Sequence, residues 1–385
     1  MILLSLMNND NSINISVAGD FCPLSQTEKI ILQENKEDLF SCIANIFKNN
    51  DLNIIDLESP LTHSLKGIDK SGPLLKSNPD SIQALNYLGI NLVSMSNNHI
   101  MDYGCDGLND TIISCEKAGI HIVGVGKNLS EARHPFFIKI KGKNIAVINV
   151  SENEFSSTYG DYSGANPLNL IDNYHDIVNA RNTADIVLVL YHGGNEFYNL
   201  PSPRVKKTCR FFVEAGADAV VMHHTHVYSG YEIYHNSLIF YGLGNFNYDI
   251  EGKVNEPWNY GYTVRLIISD NKIDFEVLPH QQSNGYPGTF LLYDNEKTLF
   301  FNRLFELNRI IQDDVELETR FHSFSLQQER LYDMYLQPYS GKLLAPLYFK
   351  GILPSLLSKR KKMLLLNLIR CESHRDILLN ILKIV

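Results

Sequence analysis

The chain has 385 residues, 44% hydrophobic and 20% charged, with a formal net charge of −9. That balance fits a globular protein and argues against binding nucleic acid through a global positive field. The charge is uneven: residues 341–385 carry nine Lys/Arg against Glu372 and Asp376, net +7, so the preceding chain is net −16.

In chain order, Met1–Met7 is a short apolar run followed by Asn8, Asn9 and Asp10. It has no basic flank and is too short for the apolar core of a signal peptide. No stretch reaches the ~20 apolar residues of a membrane span, so a cytoplasmic protein is expected. The apolar runs Ile13–Ala18, Leu52–Ile55, Leu92–Met95, Ile145–Val150, Ile186–Leu190, Ala219–Met222 and Leu238–Tyr241 read as strands buried on both faces. Helices are predicted between them at Glu28–Asn49, Ser81–Leu88, Gly107–Ala118, Leu170–Asn182 and Pro203–Ala215. Gly89, Gly119 and Gly216 stand where a helix needs a left-handed terminal residue. Strand–helix alternation predicts an α/β protein. A polar turn region spans Gln281–Gly288. Beyond it the chain is Leu-rich and helical, broken at Pro338, Pro346 and Pro354. A boundary is expected near residue 285, giving a domain over 1–285 and a helical extension over 286–385. Six scattered cysteines form no C-x-x-C pair, which excludes a zinc knuckle or thioredoxin motif and suits a reducing compartment.

The informative residues follow the strands. Six runs end in Gly19-Asp20, Asp56-Leu57-Glu58, Ser96-Asn97-Asn98-His99, Tyr191-His192-Gly193-Gly194, His223-His224-Thr225-His226 and Gly242-Leu243-Gly244-Asn245. In an open α/β sheet, ligands bind just outside the carboxyl ends of strands. A lone Asp after a strand is usually a cap or turn residue. Three histidines in four residues at a strand end favour a metal. Oxygen and imidazole ligands together suit Mn, Fe or Zn better than Ca or Mg alone. Gly124-Val125-Gly126 lacks both Rossmann and P-loop spacing, and no G-x-S-x-G elbow is present. Asn14-Ile15-Ser16 and Asn128-Leu129-Ser130 match the glycosylation pattern but lack a secretion signal.

These pieces appear in the order seen in a known family: Gly19-Asp20, Leu57-Glu58-Ser59-Pro60-Leu61-Thr62, Asn97-Asn98-His99 with Asp102-Tyr103-Gly104, His192-Gly193-Gly194 with Glu196, His224-Thr225-His226-Val227 and Gly242-Leu243-Gly244-Asn245-Phe246. From about residue 13 to 280 the chain resembles the CapA family of capsule and poly-γ-glutamate synthesis proteins, within the calcineurin-like metallophosphoesterases. The resemblance implies a calcineurin-like α/β fold, two packed mixed β-sheets flanked by helices (αββα), with one or two divalent metals at one end. It implies Asp20 and His226 on a first metal, Glu58 bridging, Asn98, His192 and His224 on a second, and His99 as the catalytic imidazole. Asp56, Cys22, Glu196 and Asn245 are additional candidates. Cys22 stands where metallophosphoesterases at large have His, and Glu58 where they have Asp, so the first metal depends on help from Asp56 or Cys22.

The expected activity is metal-dependent hydrolysis of a phosphoester or related bond in an anionic small molecule or polymer. The alternative is a non-catalytic or weakly catalytic component of a polymer-synthesis assembly. Amide chemistry on a γ-glutamyl polymer stays open. The basic extension, with Lys359–Lys362, is expected to be helical and to cover the core. A sharper reading has it touch an anionic membrane or an acidic partner.

Overall fold

The computed structural model describes residues 12–269, 272–339 and 341–370. The Met1–Met7 run and the last fifteen residues of the basic stretch, 371–385, lie outside the described residues. The chain divides into two compact units, Met1–Glu318 and Thr319–Val385.

Every predicted strand of the first unit forms, and most extend further. In the first sheet Ile13–Cys22, Leu52–Leu57, Leu92–Ser94 and His121–Val123 run parallel in that order. On the other side of Ile13–Cys22 lie the antiparallel strands Tyr260–Ser269, Lys272–Gln282 and Thr289–Leu291. The short strand Asn245–Tyr248 pairs parallel with the end of Ile13–Cys22. The second sheet has four parallel strands, Lys143–Ser151, Ile186–His192, Ala219–His223 and Ser237–Phe240. Antiparallel strands Phe136–Ile140 and Tyr231–Tyr234 close its two edges.

Alternation along the strands sets the layers. Ile15, Val17, Leu52 and Ile54 meet Val147, Leu188, Leu190, Val221 and Phe240 between the sheets. The opposite face of the first sheet, with Ala18, Ile55 and Val93, is covered by Leu39, Phe40, Leu85 and Leu108 from helices. The result is an α/β fold of two packed mixed sheets flanked by helices.

The expected helix Glu28–Asn49 is two helices, Ser25–Leu32 and Lys36–Ala44. Glu34 adopts φ +63° between them, which no α-helix accommodates. Gly89 and Gly119 close their helices in the left-handed conformation, as expected. The first unit does not stop near residue 285. Helix Asp294–Gln312 belongs to it, because Phe300 and Leu304 are part of the core between the sheets. In the second unit the described residues form helices Glu329–Tyr335, Leu344–Phe349 and Lys359–Arg370. Among the described residues no helix is long and apolar enough to cross a membrane.

Candidate metal centre

The parallel strands deliver their carboxyl-terminal residues to one place. Asp20 stands opposite Asp56 across neighbouring strands, and His223 stands opposite His192 in the other sheet. The pairing of Ile13–Cys22 with Leu52–Leu57 slips between Ala18 and Asp20, so Gly19 is a bulge residue that re-aims the next side chain. Only glycine fits there, since a Cβ on Gly19 would overlap the carbonyl oxygen of Gly244. The Gly242–Asn245 turn therefore lies directly against Asp20, whose backbone N–H donates to that carbonyl at 3.3 Å.

Seven of the expected residues converge. His192 Nε2 lies 3.0 Å from Asn98 Oδ1 and 3.1 Å from His224 Nδ1. His192 Nδ1 is 3.3 Å from Asp56 Oδ2. His226 Nδ1 is 3.4 Å from Asp20 Oδ2, and its Nε2 is 3.7 Å from Glu58 Oε1. Three groups of buried side chains could each hold a metal ion: Asp20, Glu58 and His226; Glu58, His192 and His224; and Asp20, Asp56 and His192. Glu58, Asp20 and His192 are each shared by two groups.

Backbone strain marks the same place. His224 and His226 have φ of +90° and +57°, conformations that cost a non-glycine residue of order 1–3 kcal/mol each. The turn is held by the His224 N–H, which donates to the Asp20 carboxylate at 3.2 Å, and by Thr225 Oγ1, which donates to the Val227 carbonyl at 2.9 Å.

The electrostatics are those of a cation site. Glu58 is fully buried, and neither carboxylate oxygen accepts a hydrogen bond among the described residues. Burial, with Asp20 and Asp56 beside it, pushes its carboxyl well above the usual range despite the opposing pull of His226. Burial pushes Asp56 up to about 6. Burial also drives His192 and His224 well below the ordinary histidine value, which keeps them neutral with a lone pair to offer. Burial acts the same way on His226, but Glu58 and Asp20 outweigh it and hold that imidazole at about 10.

The remaining expected residues take different positions. Asn245 Oδ1 lies 3.0 Å from His226 Nδ1 and orients that ring. Trp258 and Tyr248 pack on it at 4.8 and 5.3 Å between ring centroids. Glu196 is exposed, close enough to raise both Glu58 and His226. Cys22 joins none of the three groups. It is buried in a small cluster with Tyr248 and Trp258, and burial raises its thiol well above the usual value. His223 donates through Nε2–H to the Ala18 carbonyl at 3.0 Å, tying one sheet to the other.

His99 sits apart from the ligand groups with partners of its own. Its Nδ1 is 2.6 Å from Asp102 Oδ2. Lys70 Nζ is 2.6 Å from the other Asp102 oxygen, 3.4 Å from His99 Nδ1 and 3.2 Å from the Asn98 carbonyl. Burial lowers the His99 pKa in spite of Asp102. Sequence reasoning assigns no role to Lys70 or Asp102. The i,i+3 spacing of His99 and Asp102 was a usable signal, whereas Lys70 lies in an aperiodic loop with none.

Residues 14–249 match the model of the bacterial capsule synthesis protein family, PGA_cap. The PGA biosynthesis protein CapA of Bacillus subtilis is 33% identical over 247 residues, covering 63% of this chain and 64% of that protein. The capsule biosynthesis protein CapA of Bacillus anthracis is 27% identical over 249 residues, covering 62% and 61%. The matched region thus spans less than two thirds of either relative. Among solved structures, a hypothetical protein from Thermus thermophilus aligns with a TM-score of 0.44 at 15% identity, over 70% of this chain and 99% of that one. The chain belongs to the bacterial capsule synthesis protein family, PGA_cap.

Proposed function

We propose that this protein is a metal-dependent hydrolase acting on an anionic phosphoester or related substrate in capsule or poly-γ-glutamate metabolism. The observation that carries this reading is Glu58: a buried carboxylate with no hydrogen-bond donor among the described residues, ringed by two neutral imidazoles and by His226. Left unpaired, a buried carboxylate costs several kcal/mol, and a divalent cation removes that cost. The residues fit such an ion. Asp20, Glu58 and His226 would hold one. Glu58, His192 and His224 would hold a second, with the amide oxygen of Asn98 beside them, so Glu58 would bridge. Asp56 is placed to assist either through Asp20 or His192.

A bound divalent ion polarises a substrate oxygen and lowers the pKa of an attached water. The chain's own groups supply the rest. Neutral His192, His224 and Asn98 leave the site cationic once loaded, which favours an anionic substrate. Asp102 accepts from His99 Nδ1–H, so Nε2 is the nitrogen left to exchange a proton with a departing oxygen. Lys70 keeps Asp102 compensated and the ring in place. The names of the Bacillus relatives support the link to capsule and poly-γ-glutamate synthesis.

The test combines elemental analysis of the purified protein with hydrolysis of bis(p-nitrophenyl) phosphate and of a γ-glutamyl oligomer. Retained Mn, Fe or Zn with turnover of the phosphodiester is expected. Metal with turnover of the γ-glutamyl oligomer alone moves the reading to amide chemistry. A second reading, a non-catalytic assembly component, draws on Cys22, which joins none of the three ligand groups and so adds nothing to the first metal. One retained metal and no turnover of either substrate would establish that role instead.

A further inference from the structure

The second compact unit has a surface that a protein in water does not need. Its interior is small but built: Met334, Tyr348 and Leu357 are buried. Gln337 accepts from the Leu356 N–H at 2.5 Å and donates to Tyr348 Oη at 3.3 Å. Arg330 donates to the Tyr348 carbonyl at 2.7 Å. The apolar side chains outside that interior are therefore surplus to it. Leu343 is 84% exposed, Ile352 62% and Met363 58%, with Leu356, Leu364 and Ile369 also exposed.

Cations stand among them. Lys342 adjoins Leu343, Lys350 lies two residues before Ile352, and Lys359, Arg360 and Lys361 open the helix that carries Met363, Leu364 and Ile369. The carboxylates within described residues 319–370 are Glu329 and Asp333, and both pair with Lys362, at 3.5 and 3.0 Å. Lys342, Lys350, Lys359, Arg360 and Lys361 form no ion pair among the described residues. In helix Lys359–Arg370 four cations fill the first turn, and Met363–Leu366, Leu368 and Ile369 follow before the closing Arg370.

We propose that this unit docks on the surface of an anionic lipid bilayer. A soluble polyanion would satisfy the five lysines and arginines but would leave Leu343, Ile352 and Met363 in water. An apolar protein groove would bury those side chains but not the charges. A bilayer interface of anionic headgroups accepts both, with apolar side chains below the headgroups and Lys/Arg at their level. The net +7 of this end of the chain directs the docking, and the net −16 of the rest keeps the first unit off an anionic surface. The inference stands independently of any catalytic activity.

The experiment is sedimentation of the full-length chain with vesicles of phosphatidylcholine alone and of phosphatidylcholine mixed with phosphatidylglycerol, at low and high salt. Binding to the mixed vesicles, at least tenfold tighter than to the neutral ones and weakened by salt, is expected. Each headgroup-facing cation contributes roughly a factor of five, so Lys359→Glu with Lys361→Glu should lower affinity about 25-fold or more. Met363→Ser with Leu364→Ser should weaken binding at both salt concentrations. All four positions are exposed, so thermal melts of the variants should match that of the parent. Three results overturn the proposal: no binding to anionic vesicles at low salt, equal affinity for both vesicles, or binding that neither double substitution changes.

Discussion

His99 and His192 are both buried imidazoles near one centre, yet their surroundings assign them different work. His192 touches Asn98, His224 and Asp56, whereas His99 touches Asp102 and Lys70. His99→Asn should leave metal content nearly unchanged and lower turnover by about 10²–10⁴. Asp102→Asn should act in the same direction by releasing the tautomer, and His192→Ala should remove metal and activity together. Elemental analysis beside steady-state kinetics checks all three. The titrating groups give a pH dependence. Above about pH 7.5, a unit past the ordinary histidine value, His192 and His224 are neutral both folded and unfolded, and Asp56 is mostly ionised. His226, raised to about 10 by Glu58 and Asp20 against burial, keeps its proton when folded and loses it when unfolded. A raised folded pKa stabilises below the unfolded value and is lost as pH rises through the folded one. Chelator-treated protein should therefore lose stability steadily from about pH 7.5 to 10 in denaturant titrations, and the stabilisation conferred by added Mn or Zn should grow over that range. The liganding side chains were legible because each follows an apolar run. Lys70 was not, because its partner lies 32 residues away and its loop has no period to read.

At the level of elements, the site depends on the bulge at Gly19. Gly19→Ala forces a Cβ into the Gly244 backbone, which has no side chain to swing aside. It should cost about 1–3 kcal/mol and reduce metal content through Asp20, as read by thermal melts and elemental analysis. The seven buried strands were plain in the sequence, since burial on both faces leaves continuous Ile, Val and Leu runs. Tyr260–Ser269 and Lys272–Gln282 were not. Arg265 and Ser269 break the first run, and the second is half-buried along most of its length and contains Pro279. The break at Glu34 had one signal, Asn35, whose low helix propensity and place at the N-cap of Lys36–Ala44 mark a second helix start.

For the whole molecule, the end of the first unit matters more than the change of composition near residue 285. Helix Asp294–Gln312 buries Phe300, Leu304, Leu307, Ile310 and Ile311. Asn308 of the same helix accepts from the Tyr231 N–H at 2.7 Å, and buried Lys206 donates to the Ile311 carbonyl and to Asp314. A chain ending at residue 318 should stay folded and retain metal. One ending at residue 285 should lose about 1.5–3 kcal/mol for each of the five buried apolar side chains and leave Lys206 without these partners. Circular dichroism melts of the two truncations distinguish the cases. The shift in composition is real, but composition does not report which side of a linker a helix packs on.

The sheet order also bears on how the protein emerges from the ribosome. Ile13–Cys22, which carries Asp20, is made well before one of its two neighbours, since Val17 pairs with Val264. At about 5–20 residues per second, that partner arrives about 10–50 s later. During the interval the strand has one finished neighbour, Leu52–Leu57, and one bare edge of unpaired amides and carbonyls. The metal cannot close this gap early, because His224 and His226 are themselves late. Translation speed and early shielding of that edge, rather than metal supply alone, then set the yield of usable protein.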